Sequence, residues 1–110
     1  MNYHTSIANI RSLASGIGRE LTRPQAIDRL SGAARKSAQN LNVLNAEIVE
    51  YREIGPYIVE LALVDFTGMR GGSYSCGVTV WRGGESCHDM SECVSIDKVA
   101  DKLRDIRNAE

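Results

Sequence analysis

Three consecutive residues, Cys87, His88 and Asp89, are of the types that serve as nucleophile, base and orienting acid. As one run they do not form a triad. Neighbours on an extended chain point to opposite sides, and catalytic triads converge from separate segments. The other histidine, His4, sits at the far end of the chain, so no second segment completes the set. Cys76, Cys87, His88 and Cys93 also supply four zinc-binding groups in number. Structural zinc sites pair ligands two to four residues apart on a tight knuckle. Here ten and five residues intervene between successive cysteines. Cys76 falls on an apolar strand face and reads as a small core residue. A Cys/His enzyme or zinc domain is therefore the third reading, and no catalytic, cofactor or metal residue is assigned.

Gly68-Met69-Arg70-Gly71-Gly72 carries the glycines of a phosphate loop without its context. The run joins two strands, offers no helix N-terminus to a phosphate, and is not followed by Gly-Lys-Ser/Thr. It is expected to be a flexible hairpin loop that exposes Met69 and Arg70, both residue types enriched at protein interfaces. The segment from Thr22 invites comparison with a helix-turn-helix, with Gly32 as the turn glycine. Asp28 would then occupy a buried small-residue position, and Pro24 starts the first helix too close to the turn. Gln25, Arg29, Lys36 and Asn40 share one helical face opposite the apolar stripe. A nucleic-acid-binding or regulatory domain would use Arg29, Arg35 and Lys36 of these basic helices, and stands as the alternative.

The elements that must position these residues follow from periodicity. Ile7, Ile10, Leu13, Ala14 and Ile17 recur at helical spacing, which predicts a first helix ending near Glu20. Thr22-Arg23-Pro24-Gln25 combines a capping hydroxyl, a first-turn proline and a glutamine at the third helical position. A second helix should run from there toward Asn45, with a break at Gly32 open. From Ala46 the period changes to two. Strands are expected over residues 46–53, from Tyr57 to Phe66 and from Tyr74 to Trp81, with a short edge strand over residues 85–90. Ser95 should cap a final helix whose stripe is Ile96, Val99, Leu103 and Ile106. The predicted fold is a single α+β domain spanning 1–110. Two N-terminal helices precede a three- to four-stranded antiparallel meander and a C-terminal helix, with the helices packed mainly on one sheet face.

Strand alternation turns Val78 and Val80 inward, and Thr79 and Trp81 outward beside Arg82. Tryptophan and arginine are the commonest anchors of protein interfaces. Thr79, Trp81, Arg82, Met69 and Arg70 are accordingly the interface candidates; cover of Trp81 by the strand over residues 85–90 or by the N-terminal helices is the equal alternative.

Composition bounds the class. Leu, Ile, Val and Phe make 26 of 110 residues, enough for a folded core. Three irregularly spaced cysteines argue against a secreted disulfide scaffold. The N-terminus lacks an uninterrupted apolar segment, so a signal peptide is not expected and a cytoplasmic location is. No stretch is apolar for long enough to span a bilayer. Residues 1–46 hold six basic groups against two acidic ones, and residues 47–110 hold seven against twelve. This bipolar charge suits a protein or ribonucleoprotein partner better than nucleic acid alone, and leaves a homodimer open. The expected function is a non-enzymatic interaction protein that blocks or regulates a larger partner. Small chains of this size and character include phage-encoded inhibitors of bacterial defence, anti-CRISPR proteins among them.

Overall fold

The computed structural model describes residues 3–39, 46–82 and 90–109. Five antiparallel strands form one sheet in chain order: β1 (Arg19–Leu21), β2 (Ala46–Ile54), β3 (Tyr57–Asp65), β4 (Tyr74–Arg82) and β5 (Met90–Val94). Helices α1 (Tyr3–Ala14), α2 (Arg23–Asp28), α3 (Gly32–Gln39) and α4 (Val99–Asn108) cover it, and a 3-10 turn (Ile96–Lys98) leads into α4. The α+β class and the meander agree with the sequence expectation. Among the described residues, no helix is long and apolar enough to cross a membrane.

Each sheet face has its own core. Val59, Leu61 and Leu63 of β3 and Cys76, Val78 and Val80 of β4 face α1 and α4, which contribute Ile10, Ala14, Val99, Leu103 and Ile106. On the other face Tyr51, Ile58 and Trp81 lie under α2 and α3, which contribute Ala26, Leu30, Ala34 and Ala38. Two helices thus cover each face, with the larger layer on the α1/α4 side. Three alanines, all fully buried, let the short helices sit close on the sheet.

The first helix stops at Ala14, not near Glu20. Gly16 and Gly18 adopt φ of +82° and +72°, which breaks the helix and turns the chain back as β1. A Cβ on Gly18 would lie 2.4 Å from the Glu53 carbonyl oxygen, so β1 can reach β2 only with glycine there. β1 raises the strand count to five. The second helix is likewise two helices, because Gly32 takes φ of +54°. The expected continuation of the second helix toward Asn45 lies outside the described residues.

The helix start at Thr22 is built as its sequence requires. The Gln25 backbone N–H donates to Thr22 Oγ1 at 3.3 Å, and the Thr22 N–H donates to Gln25 Oε1 at 2.9 Å. Such a cap contributes about 1 kcal/mol. Arg35 closes the other end of α2 by donating from Nε to the Leu30 carbonyl at 2.9 Å. Ser95 does not act as the expected side-chain cap. Its carbonyl instead accepts from the Lys98 N–H at 2.8 Å, closing the 3-10 turn.

β2 carries a bulge between Ile48 and Glu50. The extra residue sends both Val49 and Glu50 toward the α1 side, while Tyr51 faces the opposite layer. Glu50 and Arg52 then share a face and form a buried ion pair at 3.2 Å.

Candidate functional site

The hairpin between β3 and β4 is the most exposed apolar feature. Met69 is 65% exposed and is the one exposed large hydrophobic among the described residues. The loop holding it is the expected hairpin connection, and it is hydrogen-bonded within itself. The Phe66 N–H donates to the Ser73 carbonyl, the Met69 N–H to Phe66, and the Gly72 N–H to Met69, at 3.1, 3.0 and 2.8 Å. Asp65 accepts from both the backbone N–H and the hydroxyl of Thr67. Those two bonds hold the Asp65 carboxyl below its ordinary range. A Cβ on Gly72 would sit 1.8 Å from the Phe66 carbonyl oxygen, so glycine is required for the loop to fold back on itself. Met69 and Arg70 are therefore presented on a hydrogen-bonded tip, with little ordering left to lose on binding.

Beside the tip lies a shallow cleft of about 510 Å³, lined by Thr67, Gly72, Ser73, Tyr74, Ser75, Ser95, Ile96 and Asp97. Its hydroxyls come from the loop, from the start of β4 and from the chain entering α4. The Tyr74 ring meets Tyr3 of α1 edge to face at 6.1 Å. An exposed thioether, a guanidinium, aromatic edges and a hydroxyl-lined recess together suit a polypeptide surface.

The other interface candidates stand apart from this end. Trp81 does point away from Val78 and Val80, as alternation requires, but α2 and α3 cover that face. It is 1% exposed and heads the largest fully buried side chains. Of the two readings that the sequence leaves open for Trp81, the covered one holds, and the indole is a core residue. Thr79 is half-buried and Arg82 is exposed. β4 is nine residues long, which places Arg82 about 27 Å from the Met69 hairpin.

The basic helices do not present one face. Arg29 donates to Glu53 at 2.7 Å, and Arg35 is spent on the carbonyl end of α2. Lys36 is exposed. The break at Gly32 removes the single helical face that aligned Gln25, Arg29 and Lys36, and Asn40 lies outside the described residues. Cys87, His88 and Asp89 also lie outside them. Cys76 is buried on the α1/α4 side, where burial pushes its thiol up to about 12. Cys93 pairs across from Gly77 and is exposed toward the other face, so the two thiols cannot share one tetrahedral ion.

Sequence reasoning missed a pair of groups under the α2/α3 layer. Tyr51 and Glu60 are cross-strand partners, 2% and 3% exposed. Among the described residues, neither Tyr51 Oη nor Glu60 Oε2 makes a hydrogen bond of good geometry, although the two groups face each other across the strands. Burial pushes the Glu60 carboxyl up, only partly offset by the facing Tyr51 hydroxyl and by Arg23. Burial likewise pushes up the Tyr51 phenol. A glutamate in a run as apolar as Tyr57–Val64 was the available signal. The linkage is definite in sign: the unfolded chain ionises Glu60 at its ordinary value of 4.5 while the fold retains the proton. Stability therefore falls as pH rises above that value. Unfolding free energies of Glu60→Gln should decline less steeply than the parent's between pH ~5 and pH ~8. Parallel profiles would contradict the assignment. The parent-minus-variant difference cancels the opposite contribution of Asp65.

No family model, curated protein or solved structure matches this chain.

Proposed function

We propose that this chain is a non-enzymatic interaction protein that occupies a surface of a larger protein or ribonucleoprotein through its β3–β4 hairpin end. The carrying observation is Met69, 65% exposed on a tip whose backbone is already hydrogen-bonded. Arg70 adds a charge-assisted donor beside it, and the adjoining hydroxyl-lined cleft can receive a partner side chain. In its finer form the occupancy is inhibitory and of anti-CRISPR type, directed at a bacterial defence complex. Phage plating on a defended host, with and without this gene, reads that form directly. The nucleic-acid reading is weakened because Arg29 and Arg35 are already engaged within the fold.

Met69→Asp should lower affinity for the captured partner at least about twentyfold, the loss typical of removing a central anchor. Lys36→Glu, on the opposite layer, should leave affinity unchanged. Both variants should melt with the parent. Full affinity in Met69→Asp, or a steep fall of the parent's affinity with rising salt as for phosphate contacts, would contradict the proposal.

A further inference from the structure

A second cleft, of about 430 Å³, opens between α1, β1 and β2 and is lined by Arg11, Ser15, Glu20, Glu50 and Arg52. Its volume lies within the range of small-molecule sites. Its floor is built from charged groups that folding has taken out of water: Glu50 and Arg52 are 7% and 5% exposed. Arg52 is anchored by Nε to the Ile17 carbonyl at 2.7 Å and by Nη2 to the Gly18 carbonyl at 3.4 Å. Only Nη1 reaches Glu50, at 3.2 Å from each oxygen. One nitrogen serving both oxygens is not the two-nitrogen fork of a saturated pair, so the carboxylate keeps acceptor capacity.

The walls carry opposite charges, Glu20 and Arg11, that form no ion pair with each other among the described residues. Burial pushes the Glu50 carboxyl up, with Glu20 adding to the shift and Arg52 and Arg11 opposing it, and among the described residues no cation forms an ion pair with Glu20. Arg52, the register partner of Glu20, turns its nitrogens to Glu50 and to the Ile17 and Gly18 carbonyls, so the Glu20 carboxylate is left to a mobile donor that carries positive charge. On the α1 wall, Arg11 donates from Nη2 to a neutral acceptor, the Val49 carbonyl, at 3.3 Å. Its guanidinium charge is left without a carboxylate. A bare anion is repelled by Glu20 and Glu50. A divalent ion is repelled by Arg11 and Arg52, and no group of three metal-ligating side chains occurs among the described residues.

We propose that this cleft binds a small polar zwitterion of the α-amino acid class, its ammonium between Glu20 and Glu50 and its carboxylate on Arg11. Three ammonium donors answer the acceptors of the two glutamates, and the carboxylate takes the guanidinium fork. Ser15 contributes a hydroxyl beside Arg11.

Titration calorimetry of the intact chain with L-glutamine and L-serine tests this. At least one should bind with a Kd of about 1 mM or tighter, within reach of so small a ligand. For the glutamine series, 4-aminobutanamide lacks the carboxylate and glutaramate lacks the ammonium. Ethanolamine and 3-hydroxypropanoate serve the same purpose for serine. Each should bind at least about tenfold more weakly than its parent, since each leaves one wall unanswered. Arg11→Ala should close the gap between amino acid and amine, and Glu20→Gln the gap between amino acid and acid. Both residues are exposed, so both variants should fold, as circular dichroism will verify. The proposal is overturned if neither amino acid binds, if the bare amine binds as tightly as its amino acid, or if calcium occupies the cleft and displaces the ligand.

Discussion

Trp81→Ala should lower the unfolding free energy by about 3–5 kcal/mol, the cost of emptying a buried aromatic site. Small domains are stable by only about 5–15 kcal/mol, so the variant will be close to unfolding at moderate temperature. The size follows from where the indole lies. It is wedged between the sheet and two short helices, with Leu30, Ala34 and Ala38 above and Tyr51 and Ile58 beside it. Alanine side chains cannot extend to fill the space, and α2 and α3 are six and eight residues long. Helices of that length are held by packing more than by their own propensity. Loss of Trp81 should therefore loosen that layer before the α1/α4 side. Urea unfolding followed by circular dichroism measures the total, and hydrogen exchange locates the loosening. A variant within about 1 kcal/mol of the parent would mean that the indole is not the core of that layer.

Arg52→Met is the second large effect. It strands a buried Glu50 carboxylate, and breaking a buried pair from one side costs about 3–5 kcal/mol. It also removes the donors to the Ile17 and Gly18 carbonyls, which hold the turn between α1 and β1. Replacing both partners, Glu50→Leu with Arg52→Met, removes the stranded charge. The double variant should recover more than half of the loss, although the two carbonyls stay unanswered. A single variant as stable as the parent would contradict the structural role of the pair. A double variant no better than the single one would place the whole cost in the turn.

How much of this was legible in the sequence depended on whether the signal was local. The Thr22 cap and the Gln25 that answers it are three residues apart, and the structure contains both bonds. Strand alternation correctly separated Val78 and Val80 from Trp81. The α4 stripe was equally plain, because Val99, Leu103 and Ile106 repeat on one helical face. Alternation states which face a side chain takes, however, and not what covers that face. Whether Trp81 is exposed or covered stayed open for that reason. The cover consists of helices that Gly32 divides, and their docking surface is written mostly in alanine, which carries little hydrophobic signal. β1 was missed because three residues establish no period; Gly16 and Gly18 were its only trace. The Glu50–Arg52 pair was hidden by the bulge beside Val49, where a period-two reading changes phase.

The candidate surface was legible only in part. Met69 and Arg70 were recognised by residue type, while the hydrogen bonds that shape their loop close only in the folded hairpin. The sequence grouped them with Thr79, Trp81 and Arg82, whereas the antiparallel order sends the two sets to opposite ends of β4. The Met69 end is left as the candidate contact.

Site-specific photocrosslinking tests that claim most directly. A photoreactive residue replacing Met69, at the hairpin tip, should crosslink to the bound partner, while the same group replacing Lys36, on the α2/α3 layer, should not. Crosslinking from position 36 with none from position 69 would place the partner on the α2/α3 layer and contradict the account.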